Sequence, residues 1–175
     1  MDDPLRHASR ELISAREATE RMCSARDLGE LNAEWASVLN HLEKLWVKTL
    51  QAGLEAEGDF RKWNRPWQEI KRSDPLLNYL TQARHADNHS TQDLASFVTG
   101  HITIQVGKGM SFEMLEEPEL AIDQVKNRGV KFTTPETHLG EQVTTRDPRN
   151  LAVHACNFYA DYLDQVRATF FGNAS

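Results

Sequence analysis

Within Arg84-His85-Ala86-Asp87-Asn88-His89 an arginine and a histidine are separated by four residues, and no other pair in the chain has so clear a chemical use. Arginine is charged at every physiological pH and grips phosphate with a planar fork of donors, whereas histidine takes up and returns a proton near neutrality. Together they are the smallest set that can cleave RNA without a metal. On a regular helix residues five apart lie about 140° apart around the axis, so the two side chains of one chain do not converge there. Either the helix unwinds at Asn88-His89, or a two-fold dimer pools two Arg84 and two His89 in one cleft. In both cases His89 falls in a last helical turn, where the helix dipole favours the imidazolium.

The elements that must position this pair are legible from capping signals. Asp precedes Pro at Asp3-Pro4, Asp74-Pro75 and Asp147-Pro148, and Asp27 is followed by Glu30 in the manner of a capping box. These starts predict four helices. The first runs from about Pro4 to Ala25 on Leu5, Ala8, Leu12, Ala15, Ala18 and Met22. The second carries Leu28, Leu31, Trp35, Val38, Leu39, Leu42, Trp46 and Leu50 and ends near Gly53; the third, from Pro75 to about His89, turns Leu76, Leu77, Tyr79, Leu80 and Ala83 inward. The fourth, Pro148 to Phe171, presents Leu151, Ala155, Phe158, Tyr162, Val166 and Phe170 and stops at Gly172. Between Glu55 and Ser73 the pattern weakens to a connector with a helical turn or two around Phe60 to Ile70.

After the third helix the period changes to alternation. Phe97 to Val106 and Met110 to Leu115 read as two strands joined at Gly107-Lys108-Gly109, and Gly129 to Thr133 as a third short strand. The expected architecture is mainly α: one domain over residues 1–175, a four-helix bundle with a small antiparallel hairpin or sheet inserted at about 95–135.

Composition bounds the partners. Net charge is −6, against coating nucleic acid by bulk positive charge. The segment from Arg61 to His89, however, holds six Lys or Arg against three acids, a local +3, while the other 14 cations and 23 acids give −9. That suits a local phosphate site. Arg61, Lys62, Arg65, Lys71 and Arg72 are the candidate RNA contacts, interleaved with Trp63 and Trp67, whose spacing fits base stacking or packing and whose size favours core or dimer packing. No apolar run reaches the roughly 20 residues of a membrane span, and the polar start Met1-Asp2-Asp3-Pro4 is no secretory signal, so a cytoplasmic protein is expected. Cys23 and Cys156 receive no chemical role, and His7, His41, His101 and His138 have no partner by spacing. His85 and His89 share a helix face, with His154 a conceivable third metal ligand; with no His-Glu-x-x-His pattern, no metal or other cofactor is assigned.

Around these residues the chain resembles the HEPN superfamily, helical domains whose ribonuclease members carry an Arg, a polar residue, three variable residues and a His. Arg84, His85 and His89 match that pattern, and the resemblance covers the helix from about Asp74 to Ser90 and the four-helix layout. The resemblance implies a homodimer with a shared cleft, with metal-independent attack of the RNA 2′-hydroxyl on the adjacent phosphate. His89 would be the acid or base, Arg84 would hold the phosphate and its developing charge, and His85 would orient or assist. It also implies a toxin, phage-defence or RNA-processing setting, with a cognate antitoxin or other protein partner conceivable. The alternatives are a catalytically inactive dimer of the same type that binds a nucleotide, RNA or a protein, and a helix end at which Arg84 pairs with Asp87 and does no chemistry.

Overall fold

A computed structural model describes residues 3–56, 58–87, 95–98, 101–105, 111–115, 119–122, 125–127, 130–133 and 135–172. It is a mainly helical bundle with a small β insert. The helices are α1 (Arg6–Cys23), α2 (Leu28–Glu55), α3 (Phe60–Ser73), α4 (Pro75–Asp87) and α5 (Pro148–Val166), the last continued by a π-helical turn (Arg167–Phe171).

Three of the capping signals act as the sequence predicts. Asp27 accepts the Glu30 N–H at 2.8 Å, Asp74 that of Leu77 at 2.9 Å, and Asp147 that of Arg149 at 2.9 Å. Asp3 differs: its carboxylate takes the Leu5 N–H at 2.9 Å and regular helix begins only at Arg6. The predicted apolar stripes are the core, with Leu5, Ala15, Trp35, Leu76, Leu77, Leu151 and Tyr162 fully buried. Alanines on the inner face of α1 let α2 lie close along it.

The connector expected between Glu55 and Ser73 is instead a helix of 14 residues, which makes five α-helices among the described residues where capping predicted four. Pro66 inside it and a run of charged and aromatic residues hide the period. Phe60, Trp63, Trp67 and Ile70 nevertheless recur at helical spacing and form its inward edge against Tyr162, Phe158 and Phe170. The helix sits tightly on α2, since a Cβ added at Gly53 would come within 2.2 Å of the Phe60 ring.

Four antiparallel ladders follow α4. Strand β1 (Ala95–Val98) pairs with β4 (Glu119–Ile122), and between them in sequence β2 (His101–Gln105) pairs with β3 (Ser111–Leu115), the predicted hairpin. The predicted third strand is β6 (Val130–Phe132), paired with β5 (Val125–Asn127), which lies along α4. A last hairpin, β7 (Thr137–His138) and β8 (Glu141–Gln142), lies just beyond the expected insert. Its turn has Leu139 at φ 52° and Gly140 at φ 84°, the left-handed pair of a tight hairpin turn, where a leucine is sterically costly. The insert is fastened to α2 at Ala95: the Asn32 amide accepts the Ala95 N–H at 2.9 Å and donates to its carbonyl at 3.0 Å.

Candidate functional site

Arg84 belongs to the last turn of α4, one step around the helix from the buried Ala83. Its side chain is half-buried and its Nε is shut off from solvent, so it is held by the fold and is not a loose surface cation. It lines a narrow cleft with Thr81 of α4, Leu39 and Glu43 of α2, and Tyr159 of α5. The cleft has about 10 Å³ of free space, room for roughly one water molecule. A nucleotide could therefore meet Arg84 only at the mouth.

Charge around the cleft is organised by Glu43. Its carboxylate accepts from Lys71 Nζ at 2.8 Å, and that ammonium lies 5.0 Å above the centre of the Trp46 ring. Tyr159 beneath is buried, and burial, with help from Glu43, pushes its hydroxyl far above the ordinary tyrosine range. Tyr159 is thus a neutral wall of the cleft.

The remaining predicted residues separate. His85 is half-buried on α4, about 100° around from Arg84. His89 lies outside the described residues. Of the five candidate RNA contacts on α3, Lys71 is occupied by Glu43 and Arg72 by Glu69 at 2.7 Å, while Arg61, Lys62 and Arg65 are exposed. Trp63 and Trp67 pack inward, 6.5 and 5.2 Å from the Tyr162 ring, as expected of large aromatics. His154, weighed as a third metal ligand, faces His138 with ring centres 6.0 Å apart; among the described residues no three His, Cys, Asp or Glu side chains gather as a metal site.

No family model, curated protein or solved structure matches the chain.

Two polar clusters had no signal in the sequence. His138, expected to have no partner, is buried with Nδ1 3.0 Å from Oδ1 of Asp74 at the start of α4, while Oδ2 accepts the Leu139 N–H at 2.6 Å. Burial works to raise the Asp74 carboxyl, but bonds from His138, Leu139 and Leu77 prevail and hold it below the usual carboxylate range. An ionised carboxylate only accepts, so His138 Nδ1 carries the shared proton. This cluster anchors the β7–β8 hairpin on the helix that carries Arg84. The second joins α1 to α2: Glu11 accepts from His41 at 2.6 Å and from Lys48, and against the effect of burial these partners lower its carboxyl. The cysteines are free; burial raises the Cys156 thiol, and Cys23 is exposed. No described helix is long and apolar enough to cross a membrane.

Proposed function

We propose that this chain is a metal-independent endoribonuclease of HEPN type, acting as a homodimer whose shared cleft brings Arg84 and His89 of both copies to one phosphate. The observation that carries the reading is the setting of Arg84: a cation gripped in a cleft of three helices at the end of α4, with His89 two residues past the last residue of that helix. Arg84 would hold the scissile phosphate and the charge that grows on it. His89 would accept the 2′-hydroxyl proton as the 2′-oxygen bonds to phosphorus. The P–O5′ bond then breaks and the 5′-oxygen takes a proton, leaving a 2′,3′-cyclic phosphate and a 5′-hydroxyl. His85 would orient or assist. The setting proposed with it is cytoplasmic, as a toxin, defence or RNA-processing component.

A second reading, a catalytically silent member of the same type that binds RNA, a nucleotide or a protein, is favoured by one observation. The cleft beside Arg84 holds about one water, too little space for a phosphate to enter.

Cleavage of total cellular RNA in EDTA by wild type, Arg84→Ala and His89→Ala separates the two. Cyclic-phosphate ends that vanish in both variants support the nuclease; RNA left intact by wild type, or cut equally by all three, favours the silent reading.

A further inference from the structure

The five basic residues of α3 are equivalent in the sequence and unequal in the structure. Lys71 is withdrawn against Trp46 and neutralised by Glu43, and Arg72 is neutralised by Glu69. Arg61, Lys62 and Arg65 are exposed on the first half of the helix and have no ion pair among the described residues. At positions i, i+1 and i+4 these three span about 100° of the cylinder, Arg61 and Arg65 about 6 Å apart along the axis. We propose that this triad is a docking track for the backbone of a single-stranded RNA, which it hands toward Arg84; the assignment rests on the reading of the chain as a protein that acts on RNA.

Three features select this occupant. The apolar residues of α3 are committed elsewhere: Trp63, Trp67 and Ile70 pack on the core, so the exposed side has nothing to insert into a lipid surface. Trp63 and Trp67 turn their rings toward the Tyr162 side of the core, which leaves phosphate as the group the exposed cations recognise. Three unpaired cations on a protein of net charge −6 are also too few to hold a duplex, and they suit a short single strand. Position supplies the link to the cleft. Phe60 opens α3 at the level of Gly53 on α2, whereas the Arg84 cleft lies at the level of Leu39 to Glu43, and Lys71 joins the two regions through Glu43. Ten residues of α2 separate those levels, about 15 Å, or about four phosphates of a stacked strand.

The test is the salt dependence of binding to a fluorescein-labelled 2′-O-methyl oligouridine, which lacks the attacking hydroxyl and so reports binding whether or not the protein cleaves RNA. Three phosphate contacts predict a log K against log salt slope of about −2, so affinity falls roughly 20-fold from 50 to 200 mM salt. Arg61→Gln/Lys62→Gln/Arg65→Gln should remove that share of the slope and leave only what Arg84 adds, and each single change should reduce it by about 0.7. Lys71→Gln/Arg72→Gln should leave the slope as in wild type. Equal loss in both sets, no binding by wild type, or binding only to phosphatidylserine vesicles would each overturn the track. Arg61, Lys62, Arg65 and Arg72 are exposed and Lys71 is largely covered, so thermal melts of each variant check that the fold is intact. Binding through the triad by a protein that leaves ordinary RNA uncut would keep the track and remove the nuclease.

Discussion

Asp74 and His138 meet at 3.0 Å across 64 positions of sequence, and the carboxylate of that pair also caps the helix that carries Arg84. One side chain thus fixes both the start of α4 and the hairpin laid against it.

Asp74→Asn should destabilise the fold by about 1–3 kcal/mol, because an amide cannot accept from three donors and turns its own N–H₂ toward one of them. The effect depends on pH in a defined sense. The folded carboxyl lies below its unfolded value, so its contribution is complete above about pH 4, the ordinary carboxylate range. It fades as pH falls through the lower folded value. Urea unfolding at a series of pH values should show wild type losing more stability on acidification than Asp74→Asn; parallel curves would contradict this account.

Tyr162 donates to Asn64 Oδ1 at 2.9 Å inside the core, and the Asn64 Nδ2 has no partner among the described residues. Tyr162→Phe leaves the whole amide unsatisfied and should cost about 1–3 kcal/mol. Adding Asn64→Leu removes the stranded group and should recover much of that loss, as a double-mutant cycle by chemical denaturation would reveal.

Gly53 has ordinary helical backbone and is required by proximity alone. Gly53→Ala places a methyl against the Phe60 ring and should lower stability by about 1–3 kcal/mol, read as a drop in Tm. Phe60→Leu in the same chain should relieve part of it; an unchanged Tm in Gly53→Ala would mean that α3 shifts freely.

Arg84→Lys keeps the charge and loses the fork. If Arg84 grips the transition-state phosphate, cleavage should fall by about 10² with the thermal melt unchanged. Oligonucleotides too short to reach from Arg84 to Arg61, below about four residues, should be poor substrates at any concentration. A dinucleotide cut as fast as a 12-mer would detach the α3 residues from turnover.

Most of the helical frame is legible because its cues are local. Asp27, Asp74 and Asp147 each bond an N–H within three residues of themselves, and the apolar period of α2 or α5 is a property of one segment. The same reasoning hides α3, where aromatic and basic residues share one short helix around Pro66. The partnership of His138 is invisible for a different reason, since nothing near Thr137-His138-Leu139-Gly140 refers to a residue 64 positions earlier. The candidate site divides likewise: the motif can be read in the chain, but which cations of α3 are already neutralised depends on Glu43 and Glu69, and Glu43 comes from another helix.

The Asn32 side chain meets Ala95 as a neighbouring strand would, one amide answering both the N–H and the C=O of a single residue. Two parallel bonds resist rotation as well as separation, which makes the junction a rivet and not a pivot. The two bonds therefore resist rotation of Ala95 on α2. Asn32→Asp, which keeps the acceptor and sets a negative oxygen against the Ala95 carbonyl, turns that rivet into a hinge at the cost of a single atom.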